Sequence, residues 1–111
     1  MGKTTIKNSM TWKLKGTRIS GVDSTMQITM PTEYNEVLLW GSYNTIQFSA
    51  VVPRQEISST AIYPRSAEYY NASNNESVSF KVTSTEADLA GWYYNGGSGR
   101  ITGVTFKLYY R

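Results

Sequence analysis

Five tyrosines stand beside turns in this sequence: Tyr43, Tyr69, Tyr70, Tyr93 and Tyr94. A tyrosine offers a flat apolar face and a hydroxyl at low conformational cost, which suits it to a saccharide ring or to a protein surface. These five are the candidate ligand-binding residues, for a glycan or for a subunit contact, with simple packing as the competing reading. Trp12, Trp40, Phe48, Phe80 and Phe106 lie instead in alternating or continuous apolar runs and are assigned to the core.

The inventory for covalent chemistry is short. There is no Cys and no His, which removes the commonest general base, the commonest metal ligand and the thiol nucleophile. Of the eight acids, two are Asp, and no pair is spaced to suggest a shared site. A carbohydrate-active enzyme needs two carboxylates in one cleft, and Glu33 with Glu36 or Glu68 are the near candidates. The expectation is therefore a non-enzyme with no catalytic residues, no metal ligands and no cofactor. Gly2-Lys3-Thr4 lacks the strand and first glycine of a phosphate loop, and Gly96-Gly97-Ser98-Gly99 reads as a hairpin tip. Ser98 sits in no nucleophile elbow. Two glycosylation sequons, at Asn71 and Asn75, fall in turn-rich sequence and carry weight only in a secreted eukaryotic chain.

Positioning such residues falls to sheet. The chain has 111 residues, 40% of them hydrophobic and 14% aromatic, enough for one core and biased towards strands. Net charge is +3, and Lys3, Lys7, Lys13, Lys15 and Arg18 all precede the first acid. Residues 1–11 read as a basic arm before a single domain over 12–111. Such an arm suits anionic polymers, but its lysines lack the aromatic interleaving of single-strand binders, so a solvated end is preferred and nucleic acid is not an expected partner. No apolar run is long enough for membrane insertion, and Met1–Lys7 lacks the apolar centre of a signal peptide.

Alternation locates the strands. Trp12 and Leu14 begin one; Met26, Ile28 and Met30 form the next, closed by Pro31. Val37-Leu38-Leu39-Trp40 reads as a strand covered on both faces. After a turn at Gly41–Asn44, Ile46, Phe48, Ala50 and Val52 alternate, so residues 37 to 52 predict a hairpin. Thr60–Tyr63 and Arg65–Tyr70 predict two brief strands, and Val78, Phe80 and Val82 a further one. Thr85–Ala90 predicts a helical turn, as does Pro31–Glu36. A closing hairpin spans 91–111, its last strand carrying Val104, Phe106, Leu108 and Tyr110 on one face, with a bulge at Gly103. Eight or nine short strands with turn signals between them predict an all-β fold, an antiparallel, jelly-roll-like β-sandwich.

The run Met26–Leu39, with its strand, Pro31, Tyr34-Asn35-Glu36 and hydrophobic strand, resembles small β-rich domains of tailed-bacteriophage fibres and other virion structural proteins. Gly91-Trp92 and the terminal Tyr109-Tyr110-Arg111 add to the resemblance, which extends over most of residues 12–111. It implies an adhesion domain located in the virion, on a tail or fibre, and made in the host cytoplasm. Its implied partners are cell-surface polysaccharide or other virion proteins, in a homo-oligomer that is often trimeric. A purely structural assembly protein with its tyrosines in subunit interfaces is the alternative. No family binding motif is present to carry residue roles across, and no shaft repeat or heptad segment accompanies the domain.

Overall fold

The computed structural model describes residues 11–64, 69–71, 76–94 and 99–111, with the side chains of these residues other than 90–94 and 99. Among the described residues there are nine strands: β1 (Lys13–Ile19), β2 (Ile28–Thr29), β3 (Glu36–Tyr43), β4 (Ile46–Pro53), β5 (Tyr69–Asn71), β6 (Glu76–Val82), β7 (Glu86–Tyr94), β8 (Gly99–Arg100) and β9 (Thr105–Tyr110). One sheet has the order β1-β9-β3-β4 and the other β2-β7-β6-β5, with β8 also against β7. All pairings are antiparallel. The fold is an all-β sandwich. In it β1 pairs with β9 and β2 with β7, strands distant along the chain, whereas β3–β4 and β5–β6–β7 each stay with their sequence neighbours in one sheet.

Most of the alternating runs bury the side chains their parity predicts, because in a strand every second residue faces one side, but Leu14 and Ile46, at strand ends, are 55% and 49% exposed. Ile28 from β2, Phe48, Ala50 and Val52 from β4, Val78, Phe80 and Val82 from β6, and Phe106 and Leu108 from β9 all lie in one core with Met26, Met30, Ile101 and Val104. At its centre Phe80 crosses from one sheet to meet Phe48 and Phe106 of the other, each pair of ring centroids 5.5 Å apart. Gly41 of β3 is the cross-strand partner of both Phe48 and Phe106. A Cβ there would lie 2.5 Å from Phe48 and 3.1 Å from Phe80, so the missing side chain leaves room for the three rings.

Elsewhere local sequence misleads. Residues 91–111 do not make one hairpin: β7 turns back only onto the two residues of β8, and β9 crosses to the other sheet, between β1 and β3. The parity break at Gly103 is this crossing and not a bulge. Ile101 and Val104 are both fully buried on either side of it, and Gly103 takes φ +84°, a value favourable to glycine. The bulges fall instead between Leu14 and Gly16 and between Ser79 and Phe80. Thr85–Ala90 is not helical. Glu86 onward is β7, entered by a tight turn in which the Thr83 hydroxyl accepts the N–H groups of Thr85 and Glu86 at 3.3 and 3.2 Å. No helix forms over 31–36 either; among the described residues a single 3-10 turn occurs, at Arg54–Glu56.

The β3–β4 hairpin is as expected, but its turn is Asn44-Thr45, both with positive φ, and Gly41–Tyr43 continue the strand. Positive φ at both central residues matches the right-handed twist of the flanking strands. Thr60–Tyr63 contributes only a bridge from Ile62 to Val82. Of the stretch 65–70, Tyr69 and Tyr70 belong to β5, while 65–68 lie outside the described residues, as do 1–10 of the basic arm and Gly96-Gly97-Ser98 of the expected hairpin tip.

Trp12 and Trp40 are not core residues. Trp40 and Leu38 lie half-buried on the outer face of their sheet, so the run 37–40 is packed on one face, by Val37 and Leu39. Lys107 lies over the Trp40 ring at 5.1 Å, and the Arg111 guanidinium over Trp12 at 4.0 Å. Each cation shields an indole that has no inner partner.

Candidate functional site

Among the described residues, two gatherings of polar side chains on this scaffold hold a buried carboxylate oxygen. The first is an end of the sandwich where β3, β5 and β6 meet. Tyr43 and Tyr69 pack edge to face, centroids 5.3 Å apart at 85°, over Glu76, which is only 3% exposed. The Tyr43 hydroxyl donates to Glu76 Oε2 at 2.6 Å, the Tyr69 hydroxyl reaches Oε1 at 3.5 Å, and Asn71 Nδ2 donates to the Tyr69 oxygen at 3.5 Å. A buried carboxylate demands such donors, and a short O–H···O⁻ bond is among the strong ones. Glu76 sits in what the sequence presents as pure turn composition, so no local signal marks it.

Tyr43→Phe is expected to cost about 1.5–3 kcal/mol, the range for a hydrogen bond to a charged group. Urea unfolding would measure it. A loss below the error of that measurement would show the contact to be incidental.

Of the five turn-proximal tyrosines, the fold thus brings Tyr43 and Tyr69 together and points both at Glu76. Tyr70, the neighbour of opposite parity, is 68% exposed. Tyr93 and Tyr94 pair through their backbone with Arg100 and Gly99, and their side chains lie outside the described residues. The carboxylates singled out for hydrolysis are apart from this cluster: Glu33 is exposed, Glu36 is held by Arg111 Nε at 2.6 Å, and Glu68 lies outside the described residues.

The second place is a cleft of about 400 Å³. It opens beside β7, between the short pairing with β2 at Ala87 and that with β8 at Tyr93. One wall is the turn after β1. There Asp23 Oδ2 accepts the Ile19 N–H at 2.7 Å, and the Asp23 N–H returns to the Ile19 carbonyl at 2.9 Å. Ser20, buried, fixes this turn to the crossing segment: its N–H donates to the Val104 carbonyl, its carbonyl accepts from Gly103, and its Oγ accepts the Val104 N–H at 2.9 Å. Gly21, with φ +87° and Thr102 only 2.9 Å from where its Cβ would be, is required for that approach.

Asp88, Gln27 and Arg100 complete the polar lining, with Met26 and Ile101 as apolar floor. Gln27 Nε2 donates to Glu86 Oε1 at 3.0 Å. Asp88 Oδ1 is buried and has no hydrogen-bond partner among the described residues. Burial pushes the Asp88 carboxyl above the ordinary carboxylate range, with Glu86 adding to the rise while the Leu89 N–H, Lys81 and the Gln27 amide oppose it. The two aspartates of the chain, far apart in sequence, line one cleft. Asp88 was legible only as an acid between two inward residues, Ala87 and Leu89, and the helical reading of 85–90 hid it.

The sign of the pH effect follows. A folded pKa raised above the unfolded one means that the charged form is disfavoured in the fold, so stability falls as pH rises between the two values. Asp88→Asn is therefore expected to be at least as stable as the wild type at neutral pH, with the advantage fading to nothing as pH falls below the ordinary Asp value. Melting curves of the two proteins across that range would check it, and a variant that is less stable at neutral pH would contradict it.

The cleft has the chemistry to hold a ligand. It presents hydroxyls, an amide, a guanidinium and two carboxylates around an apolar floor, a donor and acceptor set matched to a polyhydroxylated molecule. Among the described residues no three acidic side chains converge as a metal site would need. Compared with family models, curated proteins and solved structures, the chain matches none.

Proposed function

We propose that the protein is a non-enzymatic adhesion module that takes a neutral cell-surface saccharide into the cleft beside Asp88. The observation that carries this is the buried Asp88 Oδ1 without a partner at the lining of a polar cleft, since an acceptor taken from water without compensation costs free energy that a ligand hydroxyl recovers. Two carboxylates against one guanidinium disfavour an anionic ligand. A sandwich edge is a rigid mount for such a site, and the resemblance of Met26–Leu39 to phage fibre domains supports a place on a virion tail or fibre. Tyr43 and Tyr69 are engaged with Glu76, and Tyr70 is on β5, at the other edge of the sheet from the cleft, so the saccharide contact is assigned to the cleft lining.

Binding is tested on an array of neutral bacterial-surface glycans, followed by calorimetry. Asp88→Ala and Gln27→Ala are expected each to weaken binding about tenfold or more, as loss of a buried hydrogen-bonding group does. A well-folded protein that binds no glycan, or whose binding ignores both substitutions, overturns the proposal. Release of new reducing ends would turn the same two aspartates into a hydrolytic pair and overturn the non-enzymatic part.

A further inference from the structure

The sandwich has open strand edges, and they are treated differently. An unpaired edge presents a row of N–H and C=O groups to any other strand, and natural sheets blunt it with lysines, bulges or very short strands. On one sheet the outer strands are short: β2 and β8 have two residues each and β5 has three. On the other, β1 carries Lys13, Lys15 and Arg18 and a bulge between Leu14 and Gly16. β4 has none of these devices. It is eight residues long, Ile46-Gln47-Phe48-Ser49-Ala50-Val51-Val52-Pro53, without a charge, and its register with β3 runs unbroken from Tyr43↔Ile46 to Glu36↔Pro53.

Hairpin geometry says which groups are open. A two-residue turn makes Tyr43↔Ile46 a hydrogen-bonded pair, so the backbone groups of Ile46, Phe48, Ala50 and Val52 face β3. Those of Gln47, Ser49 and Val51 face away, and among the described residues no backbone hydrogen bond reaches them from that side. Pro53 ends the run, because it has no N–H to offer.

We infer that β4 pairs with β4 of a second copy of this chain, antiparallel about a two-fold axis at Ser49, joining the two four-stranded sheets into one of eight. The open groups at 47, 49 and 51 admit this register with their hydrogen bonds matched, Gln47 opposite Val51 and Ser49 opposite itself. Side-chain size agrees: on the inner face the bulky Phe48 falls opposite the small Ala50, and inward residues stay inward, so the two cores adjoin. Charge agrees as well. The cation next to the strand, Arg54, falls beside the partner's uncharged Asn44-Thr45 turn, so the two copies bring no like charges together. On this edge a strand of different sequence would lack the self-matched face. The inference is independent of the saccharide cleft, which lies beside β7 and the turn after β1 and includes no residue of β4.

Light scattering and sedimentation of the intact protein test it. The wild type is expected at twice the 12.5 kDa of the chain. Ser49→Lys sets two ammonium groups face to face on the axis and is expected to raise the midpoint concentration of dimerisation about tenfold. Leu14→Lys, on the blunted β1 edge, is expected to leave it unchanged. Amide exchange gives a second readout: the N–H groups of Gln47, Ser49 and Val51 are expected to be protected at high concentration and to lose protection on dilution. A wild type that is a monomer or a trimer, a dimer indifferent to Ser49→Lys, or fast exchange of these three amides at every concentration would each overturn the inference.

Discussion

Phe80→Ala is expected to lower the free energy of unfolding by about 3–5 kcal/mol, the usual cost of deleting a fully buried phenylalanine. The ring has no solvent exposure and lies against Phe48 and Phe106, so its loss removes both transfer free energy and two aromatic contacts. Those contacts span the sheets: Phe48 and Phe106 belong to one, Phe80 to the other. Collapse cannot refill the space, because the rings opposite are fixed by the ladders on either side of Gly41. Against a total stability of about 5–15 kcal/mol for a domain of this kind, the variant is at the margin of folding. Urea unfolding at 25 °C should show a lower midpoint at unchanged slope. A loss below about 1 kcal/mol, well under the range for such deletions, would mean that the rings do not hold the sheets together.

Gly41→Ala is expected to be destabilising by about 1–3 kcal/mol, the cost of forcing one extra carbon into a filled core. The sign makes the experiment informative. In an ordinary strand, glycine is the weaker residue and alanine gains about 0.5–1 kcal/mol. Here the new Cβ would lie 2.5 and 2.7 Å from two atoms of the Phe48 ring and 3.1 Å from Phe80. Trimming the obstacle should rescue it: in Gly41→Ala with Phe48→Leu, the two changes are expected to couple, so that the double variant loses less than the two single losses added together. Additive losses, or a stabilising Gly41→Ala, would show that β3 has room the structure does not give it.

These two expectations mark where local reading ended. Period-two hydrophobicity identified Phe48, Phe80 and Phe106 as inward residues, and the turn signal at Gly41–Asn44 announced the β3–β4 hairpin, although the turn itself is Asn44-Thr45 and Gly41–Tyr43 belong to β3. It could not say that Gly41 is the residue across from two of the rings, since that depends on the register of three strands. The apolar run Val37–Trp40 was ambiguous for a related reason. Continuous hydrophobicity marks burial without naming the face, and cations from elsewhere, such as Lys107, shield what the core does not cover. Glu86-Ala87-Asp88 resembles the acidic first turn of a helix, but pairing of Ala87 with both Val82 and Ile28 outweighs that local preference.

By itself the sequence determined that this chain makes sheet, which side of most alternating strands is inward, though not of β1, where Leu14 is exposed, and where most turns fall, because these follow from side-chain type and a period of two residues. Only the tertiary structure decided that β9 leaves β8 for the other sheet, that Asp23 and Asp88 line one cleft, that Glu76 is enclosed by Tyr43 and Tyr69, and that among the described residues no strand pairs with the outer edge of β4. Each of these is a relation between segments distant along the chain, fixed by which strands share a ladder, and no periodicity within one segment encodes its partner.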